Sequence, residues 1–137
     1  MAFQNPPDEA IKALLSRPQT VAVVGCSPNP QRDSHRIAQL LRTRGHRVIP
    51  VNPGHQTILG ETCYASLRDI PEQVDMVDIF RRSEHVALIV DEAIEAGAKI
   101  VWMQLGVIDE RAAAKAQHAG LTVVMDRCPA IEYRRLF

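Results

Sequence analysis

Short runs of β-branched and aliphatic residues alternate with longer amphipathic stretches along the chain, and this rhythm constrains the fold more than any single motif. Thr20–Gly25 reads Thr-Val-Ala-Val-Val-Gly, an apolar run without polar alternation that ends on glycine. Such a run needs cover on both faces, the environment of a strand in a parallel sheet. Arg47–Val51, Val74–Phe80, Lys99–Met103 and Leu121–Met125 repeat the pattern. Glu61–Tyr64 predicts a shorter third strand, followed by a helical turn at Ala65–Asp69.

The intervening segments carry a helical period. Asp8–Arg17 places Ile11, Leu14 and Leu15 on one face, and Ser34–Arg44 aligns Ile37, Leu40 and Leu41. Ser83 is expected to cap a helix whose stripe is Val86, Ile89, Val90, Ala93 and Ile94, and Asp109 to cap an alanine-rich helix that stops near Gly120. Gly45 and Gly97 stand where helix C-terminal caps belong.

Strands joined through helices imply right-handed crossovers. The predicted fold class is α/β: a single Rossmann-like, doubly wound parallel sheet with helices on both faces. The predicted strand order is 3-2-1-4-5-6. A length of 137 residues fits one domain, residues 1–137, with a leading helical segment, residues 1–18, packed on it.

Sixteen basic residues balance sixteen acidic ones, so bulk charge argues for neither nucleic acid nor a membrane surface as partner. Any anion site must be local. The start of the chain lacks a basic region followed by an apolar run, and the most apolar stretch, Ile100–Ile108, falls far short of the roughly 20 residues of a membrane span. Cys26, Cys63 and Cys128 are widely spaced without a CxxC pair, which predicts neither a disulfide framework nor a zinc site. The expectation is a soluble, cytoplasmic protein.

In a doubly wound sheet, ligands bind beyond the carboxyl ends of the strands, where strand order reverses. That rule selects a rim: Gly25–Arg32, Asn52–His55, Arg81–Ser83, Gln104–Gly106 and Asp126–Pro129. The first loop, Gly25-Cys26-Ser27-Pro28-Asn29-Pro30, sits where a dinucleotide fingerprint would, yet keeps only the first glycine of GxGxxG. Its two prolines remove backbone donors, and Ser27 and Asn29 offer side-chain donors in their place. An ordinary turn would use serine and asparagine equally well.

Arg32, His35 and Arg36 crowd the start of the next helix, where the dipole disfavours cations and a phosphate would favour them. Alternatively, Asp33 offsets them. Asn52-Pro53-Gly54-His55 follows the second strand without the carboxylate that binds the ribose of NAD, which suits a phosphorylated ribose such as that of coenzyme A or NADP. Arg81 and Arg82 form a further pair able to grip phosphate, or to meet Asp78 or Glu84.

No catalytic constellation stands out. His35, His46, His55, His85 and His118 lack metal-ligand spacing, and no GxSxG occurs. Asp75 and Asp78 flank Val77 without resembling an acid–base dyad. Cys26 approaches a helix N-terminus, where thiol pKa values fall, which makes it a candidate for disulfide exchange with a thiol ligand. Cys128 lies on the rim and suits either a reactive thiol or a small buried residue.

Five blocks, in order, resemble the small stand-alone CoA-binding domain proteins: Val23-Val24-Gly25-Cys26-Ser27, Val48–Pro53, Val77–Ser83, Gln104-Leu105-Gly106 and Met125–Pro129. More remotely, the chain is similar to the CoA-binding domain of the succinyl-CoA synthetase α subunit. The resemblance implies a Rossmann-like fold and CoA contacts at Ser27, Pro28, Asn29 and Pro30, at Pro53, Gly54 and His55, and at Met103, Gln104 and Leu105. Prolines replace the synthetase's loop glycines, histidine replaces its lysine, and the domain bearing its phosphorylated histidine is absent.

The expected ligand set is therefore Gly25, Cys26, Ser27, Pro28, Asn29, Arg32, Asn52, Pro53, His55, Arg81, Arg82 and Gln104, with coenzyme A or an acyl-CoA as ligand, no metal and no ligase chemistry of its own. A CoA-using enzyme or a second copy of the chain is the protein partner left open. Two alternatives also stay open: a small NADP-dependent oxidoreductase or other nucleotide-using enzyme, and an interaction protein with a vestigial pocket.

Overall fold

The computed structural model describes residues 3–137. Five parallel strands form the sheet: β1 (Thr20–Val24), β2 (Arg47–Val51), β5 (Met76–Ile79), β6 (Ile100–Met103) and β7 (Thr122–Val124). Their spatial order is β2-β1-β5-β6-β7. Helices α1 (Asp8–Ser16), α2 (Asp33–Thr43) and α5 (Pro129–Leu136) contribute to a core on one face with Ile11, Ile37, Leu41 and Tyr133. Helices α3 (Val86–Glu95) and α4 (Glu110–His118) cover the other with Val90, Ala93, Ala113 and Ala116. The fold is Rossmann-like and doubly wound. Among the described residues, no helix is long and apolar enough to cross a membrane.

The glycine stop signals and the Asp109 start signal are borne out in detail. Gly45, Gly97 and Gly120 each follow a helix with positive φ, and the next residue's N–H reaches back to the carbonyl five residues earlier: His46 to Leu41, Ala98 to Ala93, Leu121 to Ala116. That is the Schellman arrangement, which satisfies carbonyls the helix leaves open. Asp109 accepts from the Ala112 N–H at 3.0 Å, the cap expected of it.

Three expectations need correction. The predicted third strand, Glu61–Tyr64, does not extend the sheet. Glu61–Thr62 (β4) instead pairs antiparallel with Thr57–Ile58 (β3) in a separate hairpin, and Tyr64 alone bridges to Val51. The order 3-2-1-4-5-6 thus shrinks to a single bridge at its first position. Pro50 supplies one reason: its carbonyl accepts from Tyr64 N at 3.1 Å on the open edge of β2, where its missing N–H denies a further strand a donor.

Ser83 does not cap α3. It opens a 3₁₀ turn, Ser83–His85, and its hydroxyl accepts from the Ile108 N–H at 2.9 Å. The third correction is α5, which periodicity did not reveal. Pro129 occupies its first turn, a position that tolerates a missing donor.

Packing at the base of the sheet explains how α1 and α5 are held. His46 Nδ1 accepts from the Gln19 N–H at 3.1 Å, its Nε2–H meets Tyr133 Oη at 2.7 Å, and that hydroxyl donates to Leu15 O at 3.2 Å. Each group in this chain has one role, so the imidazole is neutral, and burial pushes its pKa down. Nearby, the buried Glu132 carboxylate accepts from Arg127 at 3.0 Å and from Arg135, while Arg135 also grips Asp8 with two bonds of 2.8 Å. The arginines hold Glu132 below its ordinary range, Arg135 foremost.

Candidate functional site

Strand order reverses between β1 and β5, and the rim above that point is built by the loop after β1. Gly25 ends β1 with φ +86°, and its N–H donates to Val51 O at 2.8 Å, so the chain turns sharply while still tied to β2. Beyond it the loop is a series of small turns. Asn29 N donates to Ser27 Oγ at 3.0 Å, Gln31 N to Asn29 Oδ1 at 3.0 Å, and Ser27 N to Ser34 Oγ at 2.9 Å. The Ser27 and Asn29 side-chain oxygens accept from the loop's own backbone, which leaves the Ser27 hydroxyl proton and the Asn29 amide N–H groups as the donors expected of them. Proline at 28 and 30 reduces the number of N–H groups these turns must satisfy.

The positive charges separate into distinct roles. His35 is buried, its Nδ1 3.0 Å from Ser27 O, so it braces the loop from beneath and does not join a cationic cluster. Arg36 pairs with Asp33 and donates to Gln31 O. Arg82 faces Glu84 at 3.7 Å. Among the described residues, Arg32 and Arg81 have no ion-pair partner. Arg32 lines a polar recess of about 510 Å³ with Gly25, Ser27, Ser34 and Phe80. Arg81 lines a smaller hollow of about 190 Å³ on the α3 side, with Val51 and Pro53.

Other expected site residues serve the scaffold. Asn52 Nδ2 donates to Cys26 O at 2.8 Å, which fastens the end of β2 to the loop. Cys26 is fully buried, and burial first, then Cys63 and Asp78, push its thiol up to about 12. The expectation of a lowered pKa and disulfide exchange at Cys26 is therefore wrong. The side chain packs in the α2-side core, where burial disfavours a thiolate. Pro28, Asn29 and His55 are exposed, and His55 borders neither recess.

Gln104 connects the rim to the interior. Its side-chain amide faces the Asp78 carboxyl, and the orientation that satisfies both groups puts the amide nitrogen 2.9 Å from Oδ1 and 3.3 Å from Oδ2. Asp78 is fully buried, level with Val23 and Trp102 in the middle of the sheet, and burial drives its pKa well above the ordinary range. Asp75, its sequence neighbour, instead accepts from Thr20 N at 2.9 Å at the strand's start. The Asp78–Gln104 pair was not foreseen, because Asp78 lies within β5 and Gln104 follows β6, the neighbouring strand.

Gln104 also floors an apolar cleft of about 600 Å³ between α2 and α5, walled by Ile37, Leu40, Phe80, Leu105 and Ile131. Cys128 opens into it, partly exposed. The loop carrying Leu105 is held by Gly106 N, which donates to Asp126 Oδ1 at 2.7 Å, and by the Ser83–Ile108 bond. One wall of this cleft, Ala130, Ile131 and Arg134, belongs to α5. Pro129 directly after Asp126-Arg127-Cys128 is the sequence signal that could have announced that helix.

A parallel sheet whose first strand ends on glycine and opens onto a helix N-terminus places the protein in the Rossmann-like α/β class. Residues 19–134 match the CoA binding domain family, and the chain belongs to it. It is 38% identical over 126 residues to the uncharacterized protein YneT of Bacillus subtilis, covering 92% of this chain and 93% of that protein. It is 31% identical to the ADP-forming acetate–CoA ligase I of Archaeoglobus fulgidus over 124 residues, 83% of this chain but only 18% of the ligase's length. The structure of a hypothetical protein from Pyrococcus horikoshii OT3 superposes with a TM-score of 0.91 at 38% identity, covering 99% of each chain.

Proposed function

We propose that the protein binds coenzyme A or an acyl-CoA through the loop after β1, as a binding module without ligase chemistry of its own. The observation that carries this is the pair of uncommitted guanidiniums, Arg32 and Arg81, lining separate recesses on either side of the Gly25 turn. Coenzyme A presents negative charge at two places, a diphosphate and a ribose phosphate, and two separated arginines complement that distribution. The α2 N-terminus beside Arg32 adds a partial positive charge. No carboxylate follows β2, where an NAD site would place one. The residues present thus fit the ligand, with Ser27 and Arg32 at one phosphate and Arg81 at the other.

Titration calorimetry tests the assignment. Charge-assisted hydrogen bonds contribute roughly 1.5–3 kcal/mol each, so coenzyme A should bind roughly tenfold or more above its form lacking the ribose phosphate, and further above NAD. Arg81→Ala should narrow the first gap, and Arg32→Ala should weaken all three ligands. Equal affinity for coenzyme A and NAD, or no binding at millimolar concentration, refutes the proposal. Incubation with coenzyme A, a nucleoside triphosphate and short carboxylic acids should yield no acyl-CoA.

A further inference from the structure

We infer that the apolar cleft between α2 and α5 receives the acyl chain of a thioester ligand, so that the protein favours acyl-CoA over free coenzyme A. The inference rests on the proposed binding at the loop after β1. Asp33 and Phe80 line both the polar recess beside that loop and the apolar cleft, so the two share a wall, and the pantetheine arm that leaves a diphosphate in the recess can run along the cleft and carry an acyl group to its far end. The recess suits phosphate, and the cleft suits hydrocarbon: its walls are Ile37, Leu40, Val107, Ala130 and Ile131, with Leu105 at the lip. Leu105 and Ile131 stand 55% and 40% exposed, large apolar side chains left in water beside a hollow of about 600 Å³.

The cleft is dimensioned by the fold. Asp126 and Ser83 hold the Leu105–Ile108 loop from two sides, and the Arg127–Glu132–Arg135 network fixes α5 opposite it. A chain lying there removes its own surface and the two exposed side chains from water together. A free thiol would leave the far end of the cleft unfilled.

The experiment measures affinity across coenzyme A and its acetyl, butyryl, hexanoyl and octanoyl thioesters. Half-burial of each methylene corresponds to about twofold in affinity, so hexanoyl-CoA should bind roughly tenfold or more above acetyl-CoA. Location is read from Cys128, the one partly exposed thiol, which opens into the cleft. Hexanoyl-CoA at saturation should slow its alkylation by maleimide more than coenzyme A at saturation does. Ile131→Asp, at an exposed lip position, should flatten the chain-length series. If coenzyme A binds but affinity does not rise with chain length, the inference fails while the parent proposal stands. If affinity rises while Cys128 reacts equally fast with either ligand, the chain lies elsewhere and the inference also fails. Absence of any coenzyme A binding removes both.

Discussion

A methyl group on Gly25 would lie 2.3 Å from the carbonyl oxygen of Phe80. The two residues end the adjacent strands β1 and β5, and the close approach lets the loop after β1 fold over the strand ends at the sheet's reversal point. Real Cβ atoms do not come that near a backbone oxygen, and a left-handed φ adds strain for any other residue. Gly25→Ala should therefore cost roughly 2–5 kcal/mol in urea denaturation. Gly45→Ala, where a Cβ would meet nothing within 4 Å, should cost only about 1 kcal/mol. Similar losses for the two variants would show that the Phe80 contact relaxes at little cost.

The thiols should divide sharply in reactivity. With its pKa near 12, Cys26 carries about one thiolate per ten thousand molecules at pH 8, and it has no path to solvent. Cys63 is also buried, and burial raises its pKa. Native-state alkylation followed by intact-mass analysis should add one label per chain, on Cys128, with two more appearing only in denaturant. A label on Cys26 in the folded protein would contradict the structure.

Asp78 gives stability an unusual pH slope. Its folded pKa lies above the ordinary 3.8, so above about pH 4 the folded state retains a proton that the unfolded chain has released. Stability contributed by this site then falls as pH rises through that interval. Asp78→Asn keeps an acceptor for Gln104 without an ionisable group. It should be at least as stable as the unmodified protein at pH 7 and lose this component of the slope. A clear loss of stability at pH 7 would mean that the ionised carboxylate is favoured in the fold.

His46 acts in the opposite sense. Burial lowers its folded pKa below 6.5, so between those values the unfolded chain binds a proton that the folded state refuses. The stabilising contribution is complete above about pH 6.5 and declines as pH falls toward the folded pKa. Thermal melts of His46→Gln should show a weaker decline over that window than the unmodified chain. Tyr133→Phe removes the hydroxyl between His46 and Leu15 and should cost roughly 1–3 kcal/mol. An unchanged pH profile in the His46 variant would refute the assignment.

Glu132 is a buried carboxylate shared by two partly exposed arginines, and its removal takes away the Arg127 partner and leaves Arg135 with Asp8 alone. Glu132→Ala should cost roughly 1–3 kcal/mol by chemical denaturation. Asp8→Ala, which breaks only the exposed end of the same network, should barely register. Comparable effects would show that α5 is held mainly by its apolar contacts.

By itself the sequence determined the alternation of strands and helices, the glycine-terminated helices, the Asp109 cap and the rim on which Gly25, Arg32, Arg81 and Gln104 lie. These features are local. They depend on side-chain periodicity, on φ preferences and on which residues tolerate a turn, all of which act within a few positions of the chain. The tertiary structure decided what each rim residue faces. It turned Cys26 and His35 inward, paired Arg36 with Asp33, and left Arg32 and Arg81 without ion-pair partners among the described residues. Distance along the chain concealed the rest: Asp78 meets Gln104 across neighbouring strands, His46 meets Tyr133 across 87 positions, and α2 meets α5 to form the cleft. Such contacts are fixed by sheet order and helix packing, because only burial selects which of many compatible polar and apolar groups come together.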